Sequence, residues 1–309
     1  MRLHAASLLL GVALLACSPT PTSTPSPTPI PSPTPLDIEG DIAFVSDRGG
    51  SYQIHLMNAD GTGIRQLTEG PGENAKPAWS PDGSQIAFTS DRDGNQEIYI
   101  MQSDGSGQTN FSDHPGDDRW PAWSPDGSAI AFVANIEGFD QLTVLGLDGS
   151  LRVGLRGRVG YPQAAMCCVT WYSDTGVTFT SYEDGVGTII SYSLAEESVF
   201  IHRDADQVGL SECCQAYSPL DDSFLMISLE SGVEQVYWEG GPDGGSVQLT
   251  YHAQGSHGPG WSPDGQWIVY YAKETGGVEV FTMRTDDLEP VNLTNHPSND
   301  LEPAWRPSP

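Results

Sequence analysis

The side chains with the greatest chemical reach in this 309-residue chain are four cysteines and a set of charged and aromatic residues placed at recurring intervals. The cysteines form two vicinal pairs, Cys167-Cys168 and Cys213-Cys214, 46 residues apart. Outside the cytoplasm such thiols oxidise, so disulfides joining the two segments are the leading expectation. Bridging strains once the Cα atoms lie beyond ~7 Å. Vicinal disulfides, or a thiolate metal site with His257, are the alternatives. The second group is Lys76, Asp118, Arg119, Trp120, Glu212, His257, Asp300 and Glu302, each standing three to five residues before a recurring aromatic. Mixed charge around tryptophan suits recognition of a protein or peptide. A divalent cation among these carboxylates fits the same chemistry, and no resident cofactor is called for.

Catalytic patterns are missing from the sequence. There is no Gly-x-Ser-x-Gly nucleophile elbow, no His-Glu-x-x-His and no phosphate-cradling glycine loop. Asp91-Arg92-Asp93-Gly94-Asn95 opens like an EF-hand loop, but Gln102 stands where the bidentate glutamate belongs, so it reads as a hairpin turn. His114, His252 and His296 all lie nine residues before the recurring aromatic, a triplication that reads as inherited structure. The formal charge is -28, with Lys76 and Lys273 as the only lysines. That excludes nucleic acid, whose binding requires Lys and Arg to neutralise phosphates. It favours metal cations and basic protein surfaces.

The elements that must position these residues come from a repeat. Trp79, Trp123, Trp171, Tyr217, Trp261 and Trp305 recur at spacings of 44, 48, 46, 44 and 44. A turn follows, clearest in Ser80-Pro81-Asp82-Gly83, Ser124-Pro125-Asp126-Gly127 and Ser262-Pro263-Asp264-Gly265. An apolar strand comes next (Ile86-Ala87-Phe88), then a second turn, an alternating strand (Glu97-Ile98-Tyr99-Ile100-Met101) and a short outer strand. Four hairpin-linked strands make one antiparallel sheet, too small to bury its own faces, so the sheets must stack radially. The chain enters at Ile42-Ala43-Phe44, a second-strand sequence, and leaves at Pro303-Ala304-Trp305, a first-strand sequence. The two ends therefore complete one blade. The expectation is an all-β fold, a six-bladed β-propeller over residues 37–309 with the N- and C-termini closing one blade. The eight charged and aromatic residues would then ring its channel mouth.

The unit Pro-Ala-Trp-Ser-Pro-Asp-Gly … Ile-Ala-Phe … Ser-Asp-Arg-Asp-Gly-Asn … Glu-Ile-Tyr … Leu-Thr resembles the propeller repeat of the TolB family, most fully over residues 74–123. The resemblance implies the propeller fold and no specific chemistry, since sites are grafted on folds. Similar repeats accompany proline-specific peptidases, whose chemistry lies in a separate α/β-hydrolase domain. They also occur in oligogalacturonate breakdown, which keeps a polysaccharide lyase as the alternative function, beside a metal-binding protein using the four cysteines.

Ahead of the propeller, Arg2 and the apolar run 5–16 form a signal-peptide pattern, its ~12 residues falling short of the ~20 that a membrane span needs. Leu14-Leu15-Ala16-Cys17 resembles the bacterial lipobox, which implies cleavage after residue 16 and a lipid on Cys17. Residues 17–36 then carry Ser/Thr-Pro repeats, an extended tether at about 3.1 Å per residue. The sequence as a whole reads as a monomeric, non-catalytic, extracytoplasmic lipoprotein, anchored to the cell membrane or outer membrane through Cys17, that binds a protein or peptide at the channel mouth.

Overall fold

A computed structural model describes residues 38–156, 165–183, 186–203, 216–240, 244–274 and 276–308. The signal, Cys17 and the tether lie outside the described residues, as do Glu212, Cys213 and Cys214.

The described residues build six four-stranded antiparallel sheets. The first blade holds β1 (Asp41–Ser46), β2 (Gln53–Asn58) and β3 (Arg65–Gln66). The second holds β4 (Asn74–Trp79), β5 (Gln85–Ser90), β6 (Glu97–Gln102) and β7 (Thr109–Asn110). The third holds β8 (Asp118–Trp123), β9 (Ala129–Ile136), β10 (Phe139–Gly146) and β11 (Leu151–Arg156). The fourth holds β12 (Ala165–Ser173), β13 (Gly176–Glu183), β14 (Val186–Ser193) and β15 (Ser198–Arg203). The fifth holds β16 (Ala216–Tyr217), β17 (Phe224–Ser228), β18 (Gln235–Glu239) and β19 (Ser246–Gln248). The sixth holds β20 (Ser256–Trp261), β21 (Trp267–Lys273), β22 (Val278–Arg284) and β23 (Val291–Asn292). The last strand, β24 (Asp300–Trp305), pairs with β1 and completes the first blade, with Ile42 opposite Trp305 and Ser46 opposite Asp300. The expected six-bladed propeller with shared termini is the observed fold.

The turns explain why the repeat folds this way. In Ser80-Pro81-Asp82-Gly83, the Ser80 hydroxyl donates to Asp82 at 2.6 Å and accepts the Gln85 N–H at 2.9 Å. Ser84 donates to the same carboxylate from its backbone N–H and from its hydroxyl. These donors hold the Asp82 carboxyl down at about 2, and the same serine arrangement does so for Asp126. The Leu-Thr ending of the outer strand has a buried task. The Thr68 hydroxyl accepts the Ile54 N–H and donates to Gln53, whose side chain reaches Asn74 of the next blade. Thr250, Gln235 and Ser256 repeat that chain of bonds.

The core lies between blades. Ala43, Ile54 and Leu56 of the first blade pack with Trp79, Ile86 and Phe88 of the second. Leu225 and Val236 of the fifth pack with Trp261, Ile268 and Tyr270 of the sixth. Phe44, Phe88 and Phe179 are fully buried, each contributing roughly 1.5–3 kcal/mol. The recurring tryptophan adds a directional tie: Trp79 Nε1 donates to the Ala304 carbonyl at 3.1 Å, Trp123 to Ala78 and Trp171 to Ala122. Tyr217, the one departure from tryptophan, reaches Thr178 of the preceding blade through its hydroxyl.

Closure makes β24 necessary to the whole ring. Trp305→Ala should cost about 3–5 kcal/mol, a Tm loss on the order of 10 °C, in differential scanning calorimetry of the full chain. A single cooperative transition should persist.

Candidate functional site

The inner strands β4, β8, β12 and β20 each carry a bulge at the same repeat position. Register shifts fall between Ala75 and Ala78, Arg119 and Ala122, Cys167 and Thr170, and His257 and Gly260. The residue three before the aromatic takes a left-handed backbone: Lys76 (φ 54°), Trp120 (φ 62°), Cys168 (φ 58°), Gly258 (φ 55°) and Glu302 (φ 54°). Gly258 adopts it freely, whereas the other four pay about 1–3 kcal/mol each. Pro77, Pro121, Pro259 and Pro303 follow at the next position, where a missing N–H is no loss because the bulge interrupts pairing.

The bulges turn four of these left-handed residues, all but Cys168, onto one cavity of about 160 Å³. It is lined by Lys76, Trp120, Glu302 and Gly258, by Tyr271, by Val169 and by the four prolines. Lys76 Nζ lies 2.5 Å from Glu302 Oε1 and 3.8 Å from the Trp120 ring centroid, while the Lys76 N–H donates to Glu302 Oε2. Three blades thus join through one cation: a carboxylate on the first, an ammonium on the second, an indole on the third. The site can present an aromatic face and paired charge to a ligand.

The other predicted mouth residues divide by position. Asp118 and Asp300, five before the aromatic, are corrections: both are wholly buried and absent from the cavity lining. At the start of the strand this position faces the preceding blade, and Asp300 accepts both oxygens' worth of bonds from Arg48 at 2.9 Å. Arg119 is half-buried and paired with Asp140 at 2.6 Å. His257 stacks on Tyr271 and lies 3.2 Å from Glu234. Trp120 is half-buried beneath Lys76 rather than exposed. Glu212 lies outside the described residues. Cys168 is buried against Ile189, Met226 and Tyr237 at the junction of the fourth and fifth blades, and Cys167 packs against that cluster. Their proposed partners, Cys213 and Cys214, are outside the described residues. Among the described residues no three His, Cys, Asp or Glu converge on a point that could hold a metal. His114 and His296 each accept a backbone N–H through Nδ1, which gives their recurrence a structural cause.

Sequence reasoning passed over the lining prolines and Tyr271. The prolines had a visible signal, since they recur two residues before the tryptophan. Tyr271 had none, because its place depends on the pairing of β20 with β21. A larger hollow of about 700 Å³ lies at the other end of the inner strands, where Asp82 and Asp264 of the turns meet Glu39, Asp41 and Arg306. Arg306 is committed there to Asp41 and to the Gly83 carbonyl. The smaller cavity is the better candidate, because strained residues from several blades converge on it.

Lys76→Met should remove the ion pair and the cation–π contact together. Both are partly exposed, so the urea midpoint should fall by no more than about 1–2 kcal/mol equivalent. Tryptophan emission should change through Trp120.

Comparisons with known proteins agree with this architecture. Residues 32–150 match the family model described as the TolB beta propeller domain. An uncharacterized protein of Agrobacterium fabrum is 36% identical over 92 residues, which is 30% of this chain and 31% of that protein. The chain thus aligns with about a third of that relative's length. The crystal structure of TolB from Acinetobacter baumannii superposes with a TM-score of 0.73 at 22% identity, covering 87% of this chain and 67% of that one. The putative TolB from Agrobacterium tumefaciens gives 0.61 at 16% identity, covering 87% and 99%. The chain carries a TolB-like six-bladed β-propeller.

Proposed function

We propose that this chain is a lipid-anchored, extracytoplasmic β-propeller that binds a protein or peptide at the cavity of Lys76, Trp120 and Glu302 and catalyses no reaction. The carrying observation is the convergence of left-handed residues from several blades on one cavity. Strain of this kind is maintained where geometry matters, and here it presents an indole, a tyrosine and a proline-lined wall. Aromatic anchors surrounded by paired charge are the usual makings of a binding hot spot. Lys76 and Glu302 are spent on each other, which suits recognition better than proton transfer. The charge of -28 directs the choice of partner toward a basic, extended segment. The likeness to TolB propellers supports an envelope setting, and the lipobox-like Leu14-Leu15-Ala16-Cys17 supports attachment through Cys17.

Isothermal titration of the full chain against a panel of extended basic and acidic peptides tests the reading. A basic peptide should bind, and Trp120→Ala should weaken it by at least about 30-fold. Unchanged affinity in Trp120→Ala and Glu302→Ala would move the binding surface elsewhere. Separately, Cys17→Ala should shift the protein from the membrane fraction to the soluble fraction on cell lysis.

A further inference from the structure

The blade junctions contain an internal comparison that the binding reading does not use. At described junctions, the third strand of one blade meets the first residue of the next blade's inner strand. At the first junction these are Gln53 and Asn74, and Arg92 donates to Asn74 Oδ1 at 2.7 Å. Where the sixth blade meets β24 they are Glu279 and Asp300, and Arg48 grips both oxygens of Asp300 at 2.9 Å. Arg48 and Arg92 hold the same repeat position, two residues after Ser46 and Ser90.

The junction of the second and third blades breaks this pattern. It too pairs two acids, Glu97 and Asp118, but Ile136 stands at the arginine position. Asp118 is wholly buried, and neither carboxyl oxygen has a hydrogen-bond partner. The groups around it compensate only in part. Glu97 of β6 is itself acidic and already accepts from Ser112, Asn95 and the His114 N–H. Ser112 has one proton, and it goes to Glu97 at 2.6 Å. His114 Nδ1 lies 3.8 Å from Asp118 but accepts the Gly116 N–H, so its proton is on the far nitrogen. Asp117, the adjoining residue, adds a further negative charge, and opposite Asp118 on β9 stands Ala134.

We propose that Asp118 is a neutral carboxylic acid in the native ring, and that its ionisation loosens the junction between the second and third blades. A buried carboxylate beside a second acid, with no cation or donor, must either lose its charge or destabilise its surroundings. Burial, reinforced by Glu97 and Asp117 and moderated by Ser112 and His114, pushes the Asp118 carboxyl up to about 6. The folded state therefore holds a proton that the unfolded chain has released above its ordinary value of 3.8. Stability from this group is complete below that value. It is lost as pH rises to about 6, then stays level.

Urea unfolding of the full-length chain, in chelator and at fixed ionic strength, tests this with Asp118→Asn as reference, because the reference shares every other titration. Between about pH 3 and pH 8 the wild-type folding constant should fall about 100-fold relative to Asp118→Asn, most of it between about pH 4 and pH 6. Ile136→Arg should abolish that relative fall and raise the midpoint at about pH 8. Parallel pH profiles for wild type and Asp118→Asn would overturn the proposal. So would recovery of wild type alone on adding calcium or sodium at about pH 8, which would replace the proton with a metal cation. Should Asp118→Asn not fold, carboxyl carbon NMR of the wild type decides: a midpoint near 6 supports the neutral acid, and one near 4 overturns it.

Discussion

The bond on which the ring depends is the indole N–H that four of the six blades extend to a carbonyl of the blade before. A four-stranded sheet of this size exposes two apolar faces and cannot stand alone. Packing between blades removes those faces from water, but apolar contact has no direction and would tolerate sliding. The tryptophan bonds supply the direction. Trp123 Nε1 meets the Ala78 carbonyl only when the inner strands stand in one register, and Trp261 does the same with Ala216 at 3.0 Å. The fourth-to-fifth junction shows what the position demands. There Tyr217 replaces tryptophan and still sends a polar atom across, to Thr178. At the closure, Trp305 is buried with its Nε1 unpartnered among the described residues, so burial rather than hydrogen bonding secures the last contact.

A ring held in register makes the bulge useful. Five inner strands place a left-handed residue at the same repeat position, so these residues arrive on one level. Because the backbone device is common, the side chain at that position is free to differ between blades. Lysine, tryptophan, glycine and glutamate can meet at the cavity, while Cys168 at the same height is buried in a junction. The local strain of each left-handed residue is small beside the burial of the blades, and it is offset across the whole cooperative ring.

How much of this the sequence revealed follows from what periodicity can carry. The tryptophan spacing, the Ser-Pro-Asp-Gly turns and the split first blade each state a local fact, and together they specify six sheets and their closure. Lys76, Trp120 and Glu302 were legible as residues of one repeat position for the same reason, and they line one cavity. Asp118 and Asp300 were misread because alternation along a strand says which residues share a face, not whether that face meets solvent or another blade. The bulge sets these two residues apart from their neighbours only two positions on. Its signal was the recurring proline, which reads equally well as ordinary turn chemistry. For the cysteines, the equivalence of repeat positions suggested proximity but not contact, since equivalent atoms on adjacent blades can diverge.

The buried polar chain at each junction is the part of the fold most open to variation. One junction combines two amides with an arginine, another two acids with an arginine, and a third two acids with an isoleucine. An amide pair satisfies its bonds at any ordinary pH. An acid pair needs a guanidinium, and without one it needs a proton. Repeat duplication supplies the same backbone each time, so a single substitution at the arginine position changes the electrostatics of a junction without changing its hydrogen-bonded strands. The indole tie and the apolar clusters hold the ring together while that substitution is tolerated. The consequence is a ring whose blades are alike in geometry and unlike in their response to protons.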